Sequence, residues 1–161
     1  MKWMRLGFIM IGLSICFVGL VAQESTESEV LTQSVEKEFL IVKTTTSYEE
    51  AKKFVDTFSK KSAVIINLRT LEYKNNIGLT PAKEVCMESG FSYPCYVPRG
   101  RYDDGSYLSI EYSNSYEGFA EGYFMVIAAS GEVDKTLFLK IKHLIPDAYI
   151  KKSLIYMGCI H

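Results

Sequence analysis

One order of apolar and polar positions occurs twice along the chain. Phe39-Leu40-Ile41-Val42 opens an apolar, β-branched run through residue 44, the composition of a strand. Ala51, Phe54, Val55 and Phe58 follow at i, i+3, i+4 and i+7, one apolar helical face. Ser47-Tyr48-Glu49-Glu50 has the spacing of a capping box, in which Ser47 accepts a helix N–H and Glu50 reaches back. Lys60 and Lys61 lie off the stripe, where positive charge in a last turn suits the helix dipole. Ala63-Val64-Ile65-Ile66 then begins a second strand, expected over residues 63–68. An offset of 85 residues places Phe124-Met125-Val126-Ile127 on the first run and Ala148-Tyr149-Ile150 on the last. Between these, Leu137, Ile141, Leu144 and Ile145 form a second helical stripe, which Pro146-Asp147 ends. Strands are expected over residues 123–129 and 148–157. Two right-handed crossovers of this kind predict an α+β fold, a ferredoxin-like β-α-β-β-α-β sheet with two helices on one face.

The halves are separated by residues 74–122, an insertion far longer than the tight turn this plan needs. Residues 96–102 lead into Asp103-Asp104-Gly105-Ser106, a turn signal that predicts a hairpin. Beyond it Leu108, Ile110 and Tyr112 alternate with Tyr107, Ser109, Glu111 and Ser113, so the two sets belong to opposite faces of a strand. The insertion is rich in tyrosine, whose flat apolar face and polar tip suit stacking on sugars; the alternative is that these rings pack an auxiliary sheet.

The N-terminus changes the setting. Met1-Lys2-Trp3-Met4-Arg5 is basic, residues 6–22 are apolar or small, and Ala22 is a small residue at a possible cut, so residues 1–22 read as a secretory signal peptide. Two alternatives stay open: an uncleaved anchor, because 17 such residues approach a membrane span, and lipoprotein processing at Cys16. Residues 23–37 are expected to be a flexible acidic leader and residues 38–161 one domain of ordinary size. Loss of Lys2 and Arg5 leaves 16 of the 18 basic residues against 19 acidic ones, a net charge of −3. That balance carries no footprint for nucleic acid and no basic cluster for anionic lipid, so membrane contact is expected only if the N-terminal segment is retained.

Export implies an oxidising compartment, where Cys86 and Cys95, around a loop with Gly90 and Pro94, are expected to form a disulfide. Cys159 is left over, as a buried small hydrophobe or an intermolecular bridge. The remaining ligand pool with His143 and His161 lacks a second close pair, so neither a metal site nor a cofactor is expected. No Ser/His/Asp spacing and no Gly-rich phosphate loop is present, and His143 sits among lysines on a helix. Glycan cleavage would need two placed carboxylates, from Asp103, Glu111, Glu117 or Glu121. An enzyme is not expected.

Four segments together carry a family resemblance: Phe39-Leu40-Ile41-Val42, Tyr48-Glu49-Glu50-Ala51-Lys52-Lys53-Phe54, Tyr123-Phe124-Met125-Val126-Ile127 and Pro146-Asp147-Ala148-Tyr149-Ile150. In order and spacing they resemble the SPOR domain, the sporulation-related repeat of bacterial envelope proteins, over residues 39–68 and 123–157. The resemblance implies a non-catalytic module of the periplasm or cell envelope that binds peptidoglycan glycan strands lacking stem peptides. Envelope proteins are the alternative partners, for an interaction or structural module without sugar binding. The chain departs from the family where a Gly-Ser-Phe-like step is usual: it has Thr44-Thr45-Thr46 and, in the second half, Ala128-Ala129-Ser130-Gly131. The face opposite the helices, where the family is thought to meet glycan, is expected to carry Leu40, Val42, Met125 and Ile127. Strands apolar on both sides are covered on both sides, and the insertion is the expected cover. The expected glycan contacts therefore move to the insertion, with Tyr102, Tyr107 and Tyr116 for stacking and Arg99, Arg101 and Glu111 for hydrogen bonds.

Overall fold

A computed structural model describes residues 33–158. The expected signal segment, residues 23–32 of the leader, Cys159 and His161 lie outside the described residues. The chain forms β1 (Ser34–Thr45), α1 (Tyr48–Ser62), β2 (Glu72–Lys74), β3 (Gly78–Thr80), α2 (Lys83–Glu88), β4 (Gly105–Tyr112), β5 (Phe124–Gly131), α3 (Lys135–Leu144) and β6 (Tyr149–Tyr156). The fold is α+β. Its main sheet has the order β4-β5-β1-β6, with every neighbouring pair antiparallel, and β2-β3 is a separate small hairpin. Because β1 begins at Ser34, residues 34–37 belong to the sheet rather than to the leader.

The helices start where local chemistry places them. Ser47 Oγ accepts the Glu50 N–H at 3.3 Å, but Glu50 does not close the capping box; its carboxylate takes Thr45 Oγ1–H at 2.6 Å and Lys43 Nζ at 2.6 Å. Ala63, at φ 60, ends α1 by donating its N–H to Ser59 O. Asp134 caps α3 by accepting the Leu137 N–H at 2.7 Å.

The second expected strand is not part of the main sheet. Residues 65–67 make one parallel bridge to Leu108, through Leu108 N–H to Ile65 O at 2.8 Å and Asn67 N–H to Leu108 O at 2.9 Å. Left-handed conformations at Arg69 and Thr70 then turn the chain away, and Ile65 stays 69% exposed. The edge place beside β5 goes to β4, whose residues 107–111 are buried on both sides and so gain more from pairing there. The expected hairpin partner of β4, residues 96–102, is not a strand; β4 pairs with β5 instead.

Both faces of the sheet are covered. On one side Leu40, Val42, Val126 and Ala128 share a core with Ala51 and Val55 of α1 and Ile141 of α3, so the two long helices lie on that side. On the other, Phe39, Ile41, Met125, Ile127 and Ile155 lie under Tyr116, with Phe119 against them. The insertion is therefore the cover, as its apolar strands required. Leu40 and Val42, however, face the helices, and Phe39 and Ile41 face away. The 85-residue offset aligns the two sequences but not their faces. In the sheet Ile41 pairs with Ile127, and register shifts on either side of Ile41 change the parity of β1 relative to β5. The Cys86–Cys95 disulfide is formed, with Cα atoms 5.8 Å apart, and ties α2 to the segment leading toward β4.

Candidate functional site

Four of the six expected glycan contacts lie in the interior. Arg99 and Glu111 are fully buried, and Tyr107 and Tyr116 are nearly so. Strand parity is the cause: Tyr107, Ser109 and Glu111 point to the side of β4 that residues 97–103 and Tyr116 close over. Their expected stacking and hydrogen-bonding roles toward a sugar therefore do not fit, because a buried side chain offers a ligand no surface. The structure joins them instead into one internal polar network.

Arg99 is the centre of that network. Its Nη1 donates to Tyr107 O at 2.9 Å, Ser109 Oγ at 3.0 Å and Ile127 O at 3.0 Å. Nη2 donates to Gly105 O at 2.7 Å and Nε to Ser130 Oγ at 3.0 Å, while the guanidinium lies 3.6 Å from the centre of the Tyr107 ring. Carbonyl oxygens and a ring thus replace its water. Burial pulls the guanidinium below its ordinary range, an effect opposed by Tyr107 and Glu111.

Arg69 is the member that sequence reading missed. Its Nε meets Asp103 Oδ2 at 2.5 Å, Nη1 meets Glu111 Oε2 at 2.8 Å, and Nη2 donates to Val97 O at 2.9 Å. Burial alone would lower its pKa, but the charges of Glu111 and Asp103 outweigh that and hold it above the arginine range. Glu111 Oε2 also accepts the Tyr96 hydroxyl at 2.5 Å and the Tyr116 hydroxyl at 3.2 Å, while Oε1 has no partner among the described residues. Desolvation, then the Glu111 charge, pushes both hydroxyls well above the tyrosine range. Arg69 stands 42 residues from Glu111, just past a segment read as a strand, so no local spacing signals it. With its charge matched and solvent shut out, Glu111 holds the insertion down onto the sheet.

Two of the described surfaces carry exposed tyrosines. At one corner Tyr102 is 72% exposed, and the half-buried Arg101 guanidinium lies 4.9 Å from its ring centre and 5.4 Å from that of Tyr156. On the side of the sheet away from the helices, a cleft of about 320 Å³ is lined by Thr44, Phe119, Tyr123, Met125, Tyr149 and Lys151. Tyr123 and Tyr149 are each 40% exposed. Lys151 lies 4.3 Å from the Phe119 ring centre and donates to Gly118 O, which sets its charge beside the rings. Burial raises the Tyr149 pKa, so its hydroxyl stays a neutral donor. Two half-exposed rings, a hydroxyl and an ammonium in one cleft can stack on a ring and hydrogen-bond its substituents. Neither Tyr123 nor Tyr149 reads as a ligand contact in the sequence, because each sits at the end of a strand run and belongs to its pattern.

Among the described residues no group of three His, Cys, Asp or Glu side chains is arranged to hold a metal, and no helix is long and apolar enough to cross a membrane. No protein-family model, curated protein or solved structure matches the chain.

Proposed function

We propose that the chain is a non-catalytic, SPOR-like module of the bacterial cell envelope that binds peptidoglycan glycan strands in the cleft opposite the helices. The observation that carries the reading is the cleft itself, with Tyr123 and Tyr149 as stacking faces and Thr44 and Lys151 as polar contacts. Sugar strands without stem peptides expose both apolar ring faces and carboxylates, which suit tyrosines and a lysine. The sheet order supports the finer, ferredoxin-like reading: β6 and β5 flank β1, and β4 fills the place expected for residues 63–68. The disulfide accords with an exported protein.

The test is co-sedimentation of the mature chain with sacculi stripped of stem peptides. The wild type should pellet with them, and Tyr149→Ala or Lys151→Ala should weaken binding by roughly threefold to tenfold. A wild-type chain that stays in the supernatant would overturn the proposal. A second reading, an envelope protein-interaction or structural module, is favoured by one observation. The insertion already occupies much of the sheet face, through Tyr116 and Phe119, and leaves a cleft rather than an open platform.

A further inference from the structure

We infer that the corner formed by Arg101, Tyr102 and Tyr156 is a separate oxyanion-binding site, for a carboxylate or phosphate group on a ligand whose body lies against Tyr102. It shares no residue with the cleft and does not depend on the wall-glycan proposal. The other cations of this region each have countercharge or acceptors. Arg69 has Asp103 and Glu111, Lys37 has Asp104, and Arg99 has backbone oxygens. Among the described residues, Arg101 alone of these donates no hydrogen bond and joins no ion pair, and its Nε is closed from water without an acceptor. The two carboxylates nearest in sequence are already engaged: Asp103 by Arg69 and the Tyr107 hydroxyl, Asp104 by Lys37.

The surroundings hold that charge in place. The guanidinium carbon lies 4.9 Å and 5.4 Å from the two ring centres, cation–π contacts that keep the charge at this corner. The edge of a guanidinium matches the fork of a carboxylate or phosphate, which two parallel hydrogen bonds can grip. The backbone at the end of β6 is fitted to this arrangement. A Cβ on Gly158 would stand 2.3 Å from Arg101 Nη2, and its φ of +80° is itself a conformation that glycine adopts freely. Tyr102, 72% exposed, then offers a free ring face beside the charge.

The experiment uses the mature chain, with the arginine Nε–Hε and tyrosine ring signals followed by NMR. Inorganic phosphate and sodium acetate are titrated separately at constant ionic strength against sodium chloride. The Arg101 and Tyr102 signals should shift saturably with at least one of the two anions. A response to phosphate alone assigns a phosphorylated ligand, and a response to acetate assigns a carboxylated one. Arg101→Gln should weaken that binding about tenfold or more, and Tyr102→Leu, at an exposed position, about threefold. A linear drift equal to that in chloride, or saturation unchanged in Tyr102→Leu and in folded Arg101→Gln, would overturn the assignment. Sacculus binding is read in a different assay through different residues, so the two proposals can fail independently.

Discussion

Glu111→Ala is the sharpest test of the internal network. Glu111 is fully buried, and its one bonded oxygen serves the Arg69 guanidinium and the hydroxyls of Tyr96 and Tyr116. The Arg69 side chain is itself only 13% exposed, so it cannot swing into water to recover its hydration. Deleting the carboxylate leaves a buried cation with Asp103 as its remaining countercharge and two hydroxyls without their acceptor. Breaking a buried pair in this way costs about 3–5 kcal/mol, most of it the penalty on the partner left behind. Glu111→Gln keeps the shape and one acceptor but removes the charge, and should fall between Glu111→Ala and wild type. Asp56→Ala is the control: it removes an exposed i,i+4 partner of Lys52 and should cost below about 0.5 kcal/mol. Urea unfolding of the oxidised protein measures all three, with an unchanged slope showing that the midpoint reports stability. A Glu111→Ala loss below about 1 kcal/mol would refute the reasoning, since water would then be reaching Arg69 in the native state.

The hydroxyls of Tyr96 and Tyr116 have folded pKa values above the ordinary 10.0, so the stability they contribute is complete below pH 10 and is lost as pH rises past it. Urea midpoints from pH 9 to 11 should fall, and the fall should be shallower in Tyr96→Phe; an identical slope would count against burial of that hydroxyl. Reducing the Cys86–Cys95 bridge, which spans a sequence separation of 9, should cost about 2–3 kcal/mol on loop entropy, read as a lower midpoint in reductant. Gly100→Ala should cost roughly 1–2 kcal/mol, because its φ is +96° and a Cβ would meet the Phe39 ring at 3.1 Å. Gly118→Ala, with φ +78° and open space around it, should cost less in the same unfolding measurement.

Much of the scaffold was legible because it rests on local chemistry. The stripe of Ala51, Val55 and Phe58 needed only helical periodicity, and the Ser47 cap needed only a side-chain oxygen ahead of a free N–H. Alternation along β4 correctly separated Leu108 and Ile110 from Tyr107, Ser109 and Glu111. The same alternation did not say which set would meet water. That depended on residues 97–103 folding across the sheet and carrying Arg99 inside. A tyrosine-rich, charged segment has the composition of a binding surface and of a buried hydrogen-bonded cluster alike. Only the long-range pairing of Arg69 with Glu111 separates the two.

The sequence by itself determined the two long helices, the apolar runs of β1, β5 and β6, and the disulfide pair. Each of these follows from periodicity, capping or spacing within a short stretch of chain. Tertiary structure decided which strand sits beside β5, which face of β1 meets the helices, and which tyrosines stay exposed. Those outcomes turn on competition between segments far apart in the chain. Residues 63–68 lost the place in the sheet to β4, which buries both of its sides, and the insertion that supplied β4 then closed over its own polar face.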